Sequence, residues 1–145
     1  MKARRILFMG LMMFLFVSSG ALAGDFDWLQ NLNIRAEADP SGFRAELSTR
    51  FKIGNAEINT VIGNVAKPAD AYMVLRLAEM SHQPTDYVIK QYRSGRGQGW
   101  GVIAKNLGIK PGSPEFHALK RGHDLRGNGN SGGPGKGKGK GKHRR

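Results

Sequence analysis

Residues 31–62, NLNIRAEADPSGFRAELSTRFKIGNAEINTVI, alternate between apolar and polar side chains, and this alternation decides the predicted fold. Three successive segments, 31–39, 42–53 and 56–62, place small or apolar side chains at every second position. A period of two is typical of half-buried β-strands. The sequence therefore predicts a three-stranded antiparallel meander.

Turn signals and complementary charges support this meander. Asp39-Pro40-Ser41-Gly42 is a typical turn, and Gly54-Asn55 can supply the positive φ angles of a tight hairpin. With two-residue loops at 40–41 and 54–55, opposite charges face each other across the strands. These pairs are Arg44 with Glu37, Glu46 with Arg35, and Lys52 with Glu57.

Helical signals follow the meander at about 68–80, 84–93, 99–108 and 113–121. Pro68 suits the first position of a helix, and Ser113-Pro114-Glu115 combines a side-chain cap, a proline and an acid near the helix dipole. We therefore predict one small α+β domain over residues 24–122, in which the sheet packs against three to four short helices.

The first 23 residues, MKARRILFMGLMMFLFVSSGALA, have the pattern of a signal peptide. A basic start precedes an apolar run from Ile6 to Val17, and Ala21-Leu22-Ala23 forms the cleavage site. The apolar run is shorter than the ~18 residues that a membrane span needs, so we expect cleavage after Ala23. The mature protein would then be periplasmic or secreted and would have no transmembrane segment. An uncleaved anchor is the alternative. The chain has no cysteine, which excludes disulfides, thiolate metal sites and cysteine nucleophiles.

The positive charge is concentrated at the C-terminal end. The chain has 23 Lys+Arg and 11 Asp+Glu, but residues 24–119 hold 11 basic and 10 acidic residues. Residues 120–145 hold nine basic residues and one acid, Asp124. Residues 123–145 are rich in glycine and lysine and poor in apolar side chains, so we predict a disordered tail. Such a tail either binds a polyanion or only solubilises the protein.

The predicted anion-binding residues lie in the tail and in a glycine-rich stretch, RSGRGQGWG at 93–101. That stretch lacks the glycine spacing of a dinucleotide fingerprint and the Gly-Lys-Ser/Thr of a P-loop. It is either an anion-holding helix start or a joint between helices, and Lys105 and Lys110 could assist binding. The candidates are Arg93, Arg96, Lys136, Lys138, Lys140, Lys142, Arg144 and Arg145.

Two other function classes receive less support from the sequence. A hydrolase or metal-dependent enzyme would need His82 or His117 to meet carboxylates, yet no catalytic or metal-binding spacing appears, so we predict no catalytic residue, metal or cofactor. A helix-turn-helix nucleic-acid-binding protein would use the helices around residues 100–121. Their first half fits that motif, but its later apolar positions fall on Pro114 and His117.

The stretch GWGVIAKNLGIKPGSPEFHALK at 99–120 resembles a segment of an uncharacterised family of small exported proteins from Gram-negative bacteria. The resemblance implies a periplasmic or secreted domain, without a known activity or functional residues. Together with the charge pattern, it favours a non-enzymatic envelope protein that binds an anionic polymer or lipid surface through its tail. The identity of the partner and the oligomeric state are not predicted.

Overall fold

The computed structural model describes residues 26–125, which contain seven α-helices and no β-strand. The predicted α+β fold with a three-stranded meander is therefore wrong, and the described part of the chain is all-helical. The helices are α1 (Trp28–Ala38), α2 (Pro40–Phe51), α3 (Asn55–Gly63), α4 (Pro68–Ser81), α5 (Thr85–Ser94), α6 (Trp100–Asn106) and α7 (Pro114–Arg121).

The segments predicted as strands form α1, α2 and α3 because their large apolar residues also recur at helical spacing. Phe43 and Leu47 are buried in α2, four residues apart, whereas Ala45 between them is exposed. Leu32 and Ala36 form the same i, i+4 pair in α1. Other members of the period-two pattern, such as Ile34, Ala38 and Thr49, are exposed on these helices.

The predicted turns connect helices instead of strands. The Asp39 carboxylate accepts a hydrogen bond of 2.9 Å from the Gly42 N–H, and Pro40 occupies the first position of α2. This is N-terminal capping, which competes with the turn interpretation of the same residues. Lys52, directly after α2, has a left-handed conformation with φ of 56°, and the extended Gly54 directly precedes α3.

Helix α4 lies at the centre of the hydrophobic core. Seven of its residues are buried, and it packs against α1, α3 and α5. The Ala69 N–H donates a hydrogen bond of 2.7 Å to the Asn33 side chain, which joins the start of α4 to α1. The helices of the second half occupy the predicted segments to within two residues at each end.

The chain continues beyond α7 across the helical body. Gly122 directly follows α7 with φ of 133°, and Leu125 is buried in the core. We call residues 122–125 the C-terminal segment. The sequence assigned residues 123–125 to the tail, and the structure places them in contact with α1, α2 and α4.

Candidate functional site: a polar cleft at the C-terminal segment

A cleft of about 430 Å³ opens between α2 and the C-terminal segment. Ala45, Glu46, Thr49 and Arg50 line it from α2, and Asp124 lines it from the C-terminal segment. The cleft is where the ionic and aromatic contacts between distant parts of the described chain converge.

Arg50 is the centre of an ionic cluster that we call the anchor cluster, formed by Arg50, Arg76, Glu79 and Asp124. The Arg50 guanidinium donates to both Glu79 carboxylate oxygens, at 3.0 and 2.9 Å, and lies 2.8 Å from the Asp124 Oδ2. Arg76 pairs with Glu79 and lies 3.6 Å from Asp124. Two arginines thus balance two carboxylates, and the forked geometry joins α2, α4 and the C-terminal segment.

The anchor cluster keeps its groups ionised. Hydrogen bonding to Glu79 raises the pKa of Arg50, and the bond from Arg50 lowers the pKa of Glu79. Partial burial acts to raise the pKa of Asp124, but hydrogen bonds from Arg50 and Tyr72 outweigh it, so that this pKa is lowered. The carboxylates therefore remain charged at neutral pH, when they bind the arginines best.

Tyr72 adds a neutral hydrogen-bonding group that contacts Asp124 of the anchor cluster. Its hydroxyl donates to the Asp124 Oδ1 at 3.0 Å and accepts the Asp124 backbone N–H at 3.3 Å. The Tyr72 side chain is buried in the core, and burial, followed by the charge of Asp124, raises its pKa. The phenol therefore stays protonated and able to donate.

Aromatic rings surround Tyr72. The Trp28 ring meets it edge-on at a centroid distance of 5.7 Å, and the Phe51 ring lies at 5.7 Å. The His123 ring lies 5.8 Å from Trp28 and 6.1 Å from Tyr72. The Arg50 guanidinium covers the Phe51 ring at 4.8 Å, which couples the aromatic group to the anchor cluster.

Arg35 and Glu46 form a separate ion pair at 2.6 Å between α1 and α2, at the edge of the cleft. This is one of the three charge pairs predicted from the meander, although helices bring it together. The other two predicted pairs, Arg44 with Glu37 and Lys52 with Glu57, are not ion pairs in the described residues.

The predicted anion-binding residues of the body lie away from this cleft. Arg93 is exposed near the end of α5, and the Arg96 guanidinium covers the Tyr92 ring at 5.5 Å. The tail candidates, Lys136, Lys138, Lys140, Lys142, Arg144 and Arg145, lie outside the described residues, as do the predicted signal peptide and most of the predicted tail.

The glycine-rich stretch connects α5 to α6 around an aromatic contact. Trp100 begins α6 and stacks on Tyr92 at a centroid distance of 5.3 Å. Gly97 and Gly99 have φ of 87° and 86°, a conformation that other residues rarely adopt. Tyr92 donates to Asp70 at 2.8 Å and accepts the Ala66 N–H at 3.0 Å, so this joint is tied to the start of α4.

Neither His82 nor His117 belongs to a metal-binding group in the described residues. His82 directly follows α4 with φ of 55°, and His117 is exposed on α7. Across residues 26–125, no three His, Asp or Glu side chains are placed to hold a metal ion. Every charged member of the anchor cluster is already paired with an opposite charge.

Helices α6 and α7 are the pair considered for a helix-turn-helix. Residues 107–113 separate them, and the Ser113 Oγ accepts the Phe116 N–H at 3.2 Å. Phe116 and Leu119 are buried, while Glu115 is exposed. The exposed surface of α7 therefore carries an acid near its start and basic residues near its end.

The sequence did not indicate the anchor cluster or the surrounding rings. Its one local signal was Asp124, the single acid among nine basic residues after position 119, followed by Leu125. An acid and an apolar residue within a basic segment can dock on a folded body. The residues that receive them, Arg50 and Tyr72, lie more than 50 positions away and carry no motif.

No family model, curated protein or solved structure matches the chain. The resemblance of residues 99–120 to an exported family thus stays a prediction. Over residues 26–125, none of the helices has the length and apolar character that a bilayer span needs.

Proposed function

We propose that this protein binds an anionic polymer or lipid surface of the cell envelope through its cationic residues 126–145. The helical body holds Leu125, the residue directly before them, in a fixed position. The observation that carries the proposal is the separation of charge along the chain. Residues 26–125 contain 13 Lys+Arg and 10 Asp+Glu, a net charge of +3, whereas residues 126–145 contain seven Lys+Arg and no acid, a net charge of +7.

The anchor cluster supports this proposal by defining where the cationic residues begin. Asp124 is bound to Arg50 and Tyr72, and residue 126 follows the buried Leu125. Arg50 and Arg76 are neutralised by carboxylates, so these two body arginines do not compete for the partner. A polyanion is the ligand class that a run of alternating lysine and glycine binds, because its contacts need charge but no fixed shape.

The experiment compares the full chain with a variant in which Lys136, Lys138, Lys140 and Lys142 are replaced by glutamine. Binding is measured to heparin, to vesicles containing phosphatidylglycerol and to a DNA duplex, each over a range of salt concentrations. At about 1 kcal/mol per lysine at an anionic membrane surface, the variant should bind the vesicles about a thousandfold more weakly. For the full chain, the logarithm of the duplex binding constant should fall with the logarithm of the salt concentration. Its slope should be no steeper than about −6, the value for seven phosphate contacts.

The matched control replaces Arg93 and Arg96 by glutamine. We expect this variant to retain most of the affinity, because these two residues belong to the near-neutral body. Binding that is insensitive to salt, or that survives the four lysine substitutions, would contradict the proposal. Tight binding to the duplex alone would instead favour the nucleic-acid alternative.

A further inference from the structure

The C-terminal segment is held on the body by three consecutive residues of different chemistry, His123, Asp124 and the buried Leu125. Asp124 binds through charge and hydrogen bonds to Arg50 and Tyr72. His123 binds through its ring, which packs against Trp28 and Tyr72. Histidine is the side chain whose ordinary pKa allows its charge to change between pH 5 and 8. The contact that fixes the start of the cationic residues therefore contains a group that can titrate.

The surroundings of His123 favour a neutral ring. Its Nδ1 is buried and has no hydrogen-bond partner in the described structure. From α1 it faces the uncharged Trp28 and the positive Arg35, from α4 it faces Tyr72, and in its own segment it neighbours the negative Asp124. Burial lowers the pKa of His123 below 6.5 and Arg35 lowers it further, while Asp124 acts in the opposite direction.

We propose that His123 is a proton-operated latch: the neutral ring holds residues 122–125 against the helical body, and protonation releases them. A proton on His123 would place a second positive charge beside Arg35 in a partly buried, aromatic environment with no acceptor at Nδ1. In the released segment the same imidazolium is solvated by water. Protonation therefore shifts the equilibrium from the docked to the released segment.

The pH range of the latch follows from the two states of His123. The released ring has the ordinary pKa of about 6.5 and the docked ring a lower one. Docking is thus fully favoured above pH 6.5, weakens as the pH falls through 6.5, and stops weakening below the lowered pKa of the docked ring. The pKa of Asp124 is lowered from 3.8, so the aspartate stays ionised throughout this range.

The consequence of release rests on the proposed function. While the segment is docked, the cationic residues start from a fixed point beside α2 and α4. Once released, four further residues separate them from α7, which gives them greater reach along an extended polyanion. Mild acidification would thereby regulate how the cationic residues meet their partner.

The test measures backbone amide hydrogen exchange of the full chain by NMR between pH 7.5 and 5, with intrinsic exchange rates corrected for pH. The protection of the Asp124 amide, which donates to Tyr72, should fall on acidification, by at most about tenfold per pH unit for one proton. His123→Gln, which cannot be protonated, should show constant protection. His117→Gln, which changes an exposed histidine, should behave like the wild type.

A second measurement keeps the test decisive if His123→Gln fails to dock at any pH. The His123 ring is titrated by NMR in the unmodified chain, and its midpoint should lie below the ordinary histidine pKa of about 6.5. Constant protection of Asp124 in the wild type, the same loss in His123→Gln, or a His123 midpoint at or above about 6.5 would each overturn the latch. None of these measurements involves a polyanion, so the latch and the proposed function can fail independently.

Discussion

Tyr72 and Asp124 exchange two hydrogen bonds across 52 positions of sequence. The tyrosine hydroxyl donates to the carboxylate at 3.0 Å, and the Asp124 backbone N–H donates to the same hydroxyl oxygen at 3.3 Å. One phenol in the first half of α4 thereby satisfies a backbone group and a charged group of the C-terminal segment. This arrangement makes Tyr72 the residue of the body on which docking of the segment most directly depends.

Replacing Tyr72 with phenylalanine should weaken this docking without creating a large cavity. Tyr72→Phe removes both hydrogen bonds but keeps the ring contacts with Trp28 and Phe51. We expect a loss of about 1–2 kcal/mol in the free energy of unfolding in urea, and faster exchange of the Asp124 amide. Tyr87→Phe, at an exposed position of α5, is the control and should change stability by less than about 0.5 kcal/mol. Equal effects of the two substitutions would contradict the role given to Tyr72.

Leu47 and Ala45 distinguish a helix from a strand at residues 40–51. A strand would place both side chains on the same face, whereas α2 buries Leu47 and exposes Ala45. Leu47→Ala should therefore destabilise the protein by about 2–5 kcal/mol, and Ala45→Gln should change the free energy of unfolding by less than about 0.5 kcal/mol. A large loss in both variants would favour the strand.

The N-terminal cap of α2 predicts that Asp39 and Gly42 are energetically coupled. Asp39→Ala removes the acceptor of the Gly42 N–H and should cost about 0.5–2 kcal/mol. A β-carbon at position 42 would lie 2.1 Å from the Asp39 Oδ2, so Gly42→Ala displaces the cap while gaining helix propensity. In the Asp39→Ala background only the gain remains, and the second substitution should stabilise by about 0.5–1 kcal/mol.

A double-mutant cycle by urea unfolding measures this coupling. Glu37→Ala, at an exposed residue of α1 outside the cap, replaces Asp39→Ala in the control cycle with Gly42→Ala. The control pair should be additive within about 0.5 kcal/mol. Additivity in the Asp39–Gly42 cycle would show that the cap contributes nothing.

Glu79 should contribute to stability only above the acidic range. Its pKa is lowered from 4.5 by the bond from Arg50, so its contribution is present above pH 4.5 and is lost as the pH falls through the lowered value. Glu79 is partly exposed, and solvent limits its effect. We expect Glu79→Gln to cost up to about 1 kcal/mol at pH 7 and to match the wild type near pH 2.

Urea unfolding at several pH values between 2 and 7 checks this expectation. Glu37→Gln is the control, because Glu37 forms no ion pair in the described residues. A stability difference between Glu79→Gln and the wild type that stays constant with pH would show that the carboxylate charge is irrelevant and that only the side-chain packing changed.

The helices of the second half were predictable because their signals are local. Pro68 begins α4, and Ser113 caps α7 through its own hydroxyl, an interaction that involves only residues 113–116. Residues 31–62 were predicted wrongly because their apolar residues satisfy two periods at once. Phe43 and Leu47 are four residues apart, which is two periods of a strand and about one turn of a helix. Ala45 between them is small enough to suit either face.

The predicted charge pair Arg35–Glu46 formed although the fold prediction was wrong. A hairpin of strands and a pair of helices connected at Asp39 both return the chain on itself, and both can bring residues 35 and 46 together. A matched pair of charges therefore indicates that two segments are neighbours, but it does not identify their secondary structure.

The sequence by itself determined the separation of charge between residues 26–125 and 126–145, because charge depends on composition alone. It also determined where α4 and α7 start, because helix caps act within one turn. Only the tertiary structure decided that residues 31–62 are helical and that Arg50, Tyr72 and Asp124 meet. Burial of α1 and α3 against α4, and of α2 against α1 and α3, favours the helical period in the first three helices. The anchor cluster joins residues far apart in sequence, and its geometry exists only once those helices have packed.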